Sequence, residues 1–486
     1  MTFCSFQYFL FLPVLFLIFS VVGQAYRPWL LLAASFLFYG ALGVPYLLLT
    51  LLVVAVFTYA IGILLGRSAD GRDRKGVFWL GVTGNLLVLC SLKYAPFLSG
   101  HLARLAGWLG LQSSGLVIGP IVSIGVSYYV FQAISYLIDI FLGVAQPERN
   151  FGYFALYLSF FPKLLQGPIE RAGDLLPQLR VPYEFNYENV RSGLFLFTWG
   201  MFKKLVIADR LGLFVDLVYG EPHVYSGGAC LLATYIYAFQ LYFDFSGYTD
   251  MAIGIARLFN INLTQNFNSP YMARSVADFW RRWHISFSRW LLDYLFKPLQ
   301  MHFRNWKNGG VALALIITFL VSGLWHGANW GFIIWGGLHG LYLAVSVFYK
   351  PFQKRIYKIS GLQGSLFQKI WQTVFTFNLV CLAWVFFRAA SVADAWYIIT
   401  HTLSGIGDAL LSGNPWDLVS LGKAKNRFLQ SLLPLSVPLI VSLAKGRVDF
   451  FSRPRWFRWS AYYLLVYSIL YLSVINAKSQ FVYFRF

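Results

Sequence analysis

Charged side chains are scarce in this chain, and the scarcity decides its class. Of 486 residues only 12% are charged while 58% are hydrophobic, whereas a soluble domain carries about 25% charged residues. Arg27 is the only charged side chain among residues 1–66, and residues 309–349 contain no Lys, Arg, Asp or Glu. Apolar runs of about 20 residues cross a bilayer. The hydrocarbon core offers no water to a loose peptide group, so such spans must be helices. The short alternating segments of a transmembrane barrel are absent. Cysteine is also sparse. Cys4, Cys90, Cys230 and Cys381 lie far apart with no C-x-x-C pair, which argues against a disulfide framework or a zinc site. The chain has no H-E-x-x-H, no G-x-x-x-x-G-K-[ST] and no G-x-S-x-G, so no metal, nucleotide or hydrolase signature stands out.

Hydrophobic runs are what remains. They suggest spans near residues 8–23, 29–42, 46–66, 77–97, 116–142, 194–219, 229–245, 311–323, 333–347, 371–387, 395–411, 429–443 and 460–474. The expected fold is therefore all-α, a polytopic integral membrane protein with about 11 to 13 transmembrane or re-entrant helices. No soluble domain or internal repeat interrupts it, so residues 1–486 read as one membrane domain. The first run lacks a basic leader and is followed at once by another, which marks it as a retained helix.

The formal net charge is +20. The basic residues lie in gaps between apolar runs, as the positive-inside rule requires. They suit anionic membrane lipid or a phosphate-bearing cofactor. They do not suit nucleic acid, because the one basic-aromatic segment sits among membrane spans. The loop 67–75, with four basic and two acidic residues, is assigned to the cytoplasm; three spans precede it, so the N-terminus is expected outside. Further basic clusters occupy 350–358, 423–427 and 445–458. Residues 271–308 differ from the rest, with seven Lys/Arg and four Trp. Trp280, Trp283, Phe287, Trp290, Leu291 and Tyr294 recur at helical spacing, which predicts an amphipathic helix lying in the membrane interface.

Chemistry is expected where an ionisable group lies at membrane depth. His326 does so, in the run Leu324-Trp325-His326-Gly327-Ala328-Asn329-Trp330, and imidazole moves protons near neutral pH. On a regular helix Asn329 would share its face and could donate to an oxyanion. The alternative is a buried histidine bonded to a carbonyl. His284 follows Trp283 in the basic segment, where an interfacial histidine needs no function. His339 lies 13 residues after His326, which on one continuous helix falls off the same face. Asp244 ends an apolar run and is expected to pair with an arginine of the following segment. Tyr128 and Gln132, on an otherwise apolar run, could face a polar tunnel. Residues 160–170 read as a re-entrant turn.

Residues 239–250, 279–298 and 324–330 together resemble the membrane-bound O-acyltransferase (MBOAT) superfamily, and most of all its bacterial, alginate O-acetyltransferase-like branch. Residues 128–139, 160–172 and 202–210 add to the likeness, which spans 118–340. The resemblance implies a ring of tilted helices around a central tunnel, with the family's catalytic histidine at His326 and its second, more variable position at His284. His339 would be a weaker, tunnel-lining site. It further implies an acyl donor made in the cytoplasm, with acetyl-CoA first, no metal, and a periplasmic or membrane-anchored acetyltransferase partner acting on an exported polysaccharide of alginate, cellulose or peptidoglycan type. The bacterial inner membrane would be the location. Arg281, Arg282, Arg289 and Lys297 would then hold the phosphates of coenzyme A, or else face lipid headgroups. A related branch would instead pass D-alanine from a carrier protein to a cell-wall polymer. A non-enzymatic transporter is the remaining alternative, and it lacks the repeats usual there.

Overall fold

A computed structural model describes residues 1–68, 71–111, 117–119, 121–404, 426, 428–429, 436, 450–474 and 481. The described residues contain helices and no strands. They make the described chain all-α. They gather into two compact units, Met1–Phe197 with Thr249–Gln265, and Thr198–Tyr248 with Asn266–Phe486.

The first unit contains α1 (Phe6–Val21), α2 (Arg27–Gly40), α3 (Pro45–Arg67), α4 (Arg72–Lys93), α5 (Ala95–Trp108), α6 (Val126–Phe141), α7 (Phe151–Ser159), α8 (Ala172–Arg180) and most of α9 (Tyr187–Phe202). The second contains α10 (Asp209–Gly220), residues 227–248 of α11 (Gly227–Leu258), the short α12 (Val276–Trp280) and α13 (Ile285–Leu291), then α14 (Lys307–His326), α15 (Trp330–Ile359), α16 (Leu366–Arg388), α17 (Val392–His401) and α18 (Arg455–Leu472).

Among the described residues five helices are long and apolar enough to cross a membrane: α3, α4, α14 with the turn before it, α15 and α16. Most other expected spans exist as shorter or broken helices. The run 116–142 is helical only from Val126. Its start is set by Gly125 in the left-handed region (φ 81°), where a Cβ would lie 2.9 Å from the Leu164 carbonyl. The run 194–219 is interrupted by a π-helical turn at Lys203–Ala208. This turn buries Lys204, whose Nζ reaches Asp209 Oδ1 and Asp244 Oδ1, each at 2.7 Å. A buried ammonium needs carboxylates on both sides, and the helix widens to provide them. Asp244 is thus paired with Lys204, not with an arginine of the basic segment. The run 229–245 is extended to Leu258 by α11. Most of the expected span 429–443, the later part of 395–411, nearly all of the cluster 423–427, and residues 445–449 of the cluster 445–458 lie outside the described residues.

The basic segment departs furthest from expectation. It is not one amphipathic helix. It breaks at His284, which takes φ 42° and ψ 57°, and again at a π-helical turn, Leu292–Phe296. The aromatic stripe does not lie flat against lipid: Trp280, Trp283, Phe287, Trp290 and Leu291 are all buried within the second unit.

α14 and α15 form a close antiparallel hairpin. Each is apolar, so nothing but packing holds their faces together, and small residues let such helices approach. A Cβ on Gly323 would sit 2.3 Å from the Phe332 carbonyl oxygen, and one on Gly336 would sit 2.2 Å from that of Phe319. This approach fixes where His326 of one helix and His339 of the other stand around Trp335.

Candidate active site

α14 ends on His326, because Gly327 takes an extended backbone (φ −178°, ψ 159°). Asn329 then starts the next helix: its Oδ1 accepts the Gly331 N–H at 2.8 Å. The regular turn that would have put Asn329 on the face of His326 does not exist. Asn329 is exposed and acts as a helix cap. His326 itself is 3% exposed. Its ring lies among Trp325 (4.8 Å between centroids), Trp335 (4.8 Å, perpendicular), Phe387 (5.3 Å) and Phe287 (5.8 Å).

His284 shares two of those ring neighbours. Its centroid is 5.0 Å from Phe287 and 6.2 Å from Trp325, with Phe245 at 4.7 Å. The left-handed backbone is uncommon for a side chain with a Cβ, though histidine adopts it more readily than most. Here the neighbours impose it. Ile285 N–H donates to the Asn266 carbonyl and Ser286 N–H to Asn266 Oδ1, both at 3.0 Å. Asn268 N–H donates to the Arg282 carbonyl at 2.9 Å. The segment 266–268 therefore clamps both flanks of His284 and turns its ring inward. Burial pushes the His284 pKa down to about 3, because an imidazolium cannot be solvated there. His284 is a neutral hydrogen-bonding group.

His339, fully buried on α15, completes the set. Trp335 lies between it and His326, 5.1 Å from the His339 ring. The three histidines thus occupy one continuous aromatic cluster: His284, then Phe287 and Trp325, then His326, then Trp335, then His339. Sequence spacing alone gave no ground for pairing 326 with 339; the hairpin brings both against Trp335.

The other candidates fall elsewhere. Tyr128 and Gln132 belong to the first unit, buried on α6, where Gln132 Oε1 accepts from Lys163 Nζ. Arg282 is paired with Asp278 at 3.0 Å and Lys297 with Asp293 at 2.6 Å, while Arg281 and Arg289 are exposed. Among the described residues no three of His, Cys, Asp and Glu gather to hold a metal ion. Asn266 and Trp335 were not singled out from the sequence. Trp335 stands four residues before His339, one helical turn, and that spacing was available; Asn266 had no such signal, since its role depends on a contact across 20 residues.

The profile of the MBOAT, membrane-bound O-acyltransferase family matches residues 148–392, which include all three histidines. The chain belongs to this family. Its relatives include the "Probable alginate O-acetylase AlgI" of Azotobacter vinelandii, 37% identical over 92% of this chain and 85% of that protein. The "Peptidoglycan O-acetyltransferase" of Helicobacter pylori is 33% identical over 98% of this chain and 96% of that protein. The "Teichoic acid D-alanyltransferase" of Streptococcus thermophilus is 28% identical over 68% and 80%. The protein is an O-acyltransferase of this family, a multi-pass membrane enzyme.

Proposed function

We propose that this MBOAT enzyme transfers an acetyl group from a thioester, acetyl-CoA, toward O-acetylation of an exported polysaccharide, with His326 as general base. The observation that carries the proposal is the position of His326. It is an imidazole ending a membrane-spanning helix, buried among aromatic rings, with His284 against the same Phe287 and Trp325. The relatives support the substrate class: proteins named for O-acetylation of alginate and peptidoglycan share 37% and 33% identity over most of the chain. The D-alanyltransferase is more distant and covers less of it.

The chemistry follows from the groups. His326 takes the proton of an acceptor hydroxyl, whose oxygen attacks the thioester carbonyl. The tetrahedral intermediate collapses by breaking the C–S bond, and the thiolate leaves with the proton from His326. General-base action of this kind supplies about 10² to 10⁴ in rate. His284, neutral and fixed by Asn266, positions the donor or polarises its carbonyl. Arg281 and Arg289, exposed and one after the other along the basic segment, are the phosphate-binding cations, since Arg282 and Lys297 already hold carboxylates. The donor arrives from the cytoplasm and the acetyl group leaves on the outer face of the bacterial inner membrane, where a periplasmic or membrane-anchored acetyltransferase partner completes delivery to the glycan.

Membranes carrying the chain and supplied with acetyl-labelled acetyl-CoA test this. The wild type should transfer label to acceptor hydroxyls, and His326→Ala, inserted at equal level, should lose at least about 100-fold. Wild-type transfer by His326→Ala would exclude the base.

A further inference from the structure

α15 carries Trp335 and His339 one turn apart, both with 0% exposure. The Trp335 indole nitrogen and His339 Nε2 find no hydrogen-bond partner among the described residues. The tautomer of His339 can be read from its other nitrogen. Trp280 Nε1 lies 3.3 Å from His339 Nδ1. Indole nitrogen only donates, so Nδ1 must accept, and a neutral ring then carries its proton on Nε2. Two buried N–H groups therefore belong to neighbouring rings, 5.1 Å apart between centroids, of which Trp335 meets the candidate base His326 edge-on at 4.8 Å. A buried donor left unmet costs about 1–3 kcal/mol, and native structures carry few of them. What two adjacent donors invite is an oxygen that gains negative charge, not a cation.

The geometry points to Trp335 and His339 as the oxyanion-stabilising pair of the acyl transfer at His326, with Trp280 as the positioning residue that fixes the His339 tautomer. The inference rests on the acyl-transfer function proposed above. Both N–H groups donate to the thioester carbonyl oxygen as the hydroxyl adds. They keep their protons throughout, and the oxygen loses its charge when the C–S bond breaks. Asn329, the sequence-based candidate for this task, is exposed at the start of α15, where its Oδ1 accepts the Gly331 N–H. The Trp335–His339 pair works by being rigid: Phe279 stacks on His339 at 6.2 Å, Trp280 crosses it at 5.2 Å, and Trp384 stacks on Trp335 at 5.6 Å.

The test is steady-state transfer of label from acetyl-CoA in membranes for Trp335→Phe, His339→Leu, His339→Gln and Trp280→Phe, beside His326→Ala. Losing one donor to an oxyanion costs about 10² to 10³ in kcat. Trp335→Phe and His339→Leu should each show that fall with KM unchanged. His339→Gln, whose amide can accept from Trp280 and still donate, should recover much of the loss. Trp280→Phe should fall between wild type and His339→Leu. Benzothienylalanine at position 335, which puts sulfur in place of N–H at the same shape, separates the lost donor from lost packing and should behave like Trp335→Phe. Wild-type kcat in that isosteric variant and in His339→Leu, with His326→Ala inactive, would overturn the oxyanion pair and leave the base intact. Full activity in His326→Ala, or no transfer by the wild type, would instead overturn the function on which the pair depends.

Discussion

His284 holds a backbone conformation that most side chains avoid, and it does so because Asn266 ties down the two residues after it. Left-handed geometry costs about 1–2 kcal/mol for an ordinary residue, while Asn, which bonds locally, visits it readily. His284→Asn should therefore fold and keep a polar group in place. His284→Val should lower the thermal midpoint in detergent by the strain of a branched Cβ. Equal midpoints for the two would contradict the account of this turn. Titration gives a second check. Burial lowers the His284 pKa to about 3, so the neutral form persists from that pH upward and no proton is gained or lost in the range where enzymes are assayed. The pH–rate limbs of His284→Gln should match the wild type. A limb that vanishes in the variant would mean that His284 titrates in catalysis. Lys204 makes the same point about buried charge. Lys204→Met leaves Asp209 and Asp244 without their ammonium, and breaking such a pair typically costs about 3–5 kcal/mol. A variant with wild-type thermal stability would contradict it.

At the level of elements, the hairpin of α14 and α15 sets the site. Gly323→Ala or Gly336→Ala places a methyl about 2 Å from a backbone oxygen, which no rotamer change relieves; overpacking of this kind costs about 1–3 kcal/mol. Either variant should spread the helices and reduce transfer, because His326 and Trp335 then lose their register. Gly309→Ala, on the same helix but facing open space, should match the wild type in rate and stability. The two spans of the hairpin were legible in the sequence as separate uncharged apolar runs, 311–323 and 333–347; their pairing was not. Nor were the breaks. The aromatic stripe from Trp280 to Tyr294 has helical spacing, yet the chain kinks at His284 because Asn266 bonds the peptides beyond it. The π-helical turn at Lys203–Ala208 exists because Lys204 must reach two carboxylates, one of them 40 residues away. Asn329 looked like a neighbour of His326 only while the helix was taken to continue. Local pattern shows where apolar helices lie; it does not show where a distant polar partner will stop one. His326 was a candidate from its place in an uncharged apolar run and His284 gained weight through the family resemblance, whereas Trp335 was not singled out from the sequence.

For the whole molecule, the charge pattern and the apolar exterior belong together. Phe6, Leu10, Leu64, Trp108, Leu366 and Tyr463 are among many large side chains exposed on the surface, as lipid contact demands. An N-terminal tag should be reached by a membrane-impermeant reagent from outside intact cells, and a tag inserted beside Arg72 should not, if the basic loop is cytoplasmic. The reverse labelling would invert the direction of transfer proposed here. On the function proposed above, the enzyme brings a cytoplasmic thioester and an outward hydroxyl to one imidazole. Single-turnover transfer from labelled acetyl-CoA tests this most directly, with wild type and His326→Gln compared at matched amounts of folded protein. The account predicts that His326→Gln transfers at least about 100-fold more slowly; transfer at the wild-type rate would contradict it.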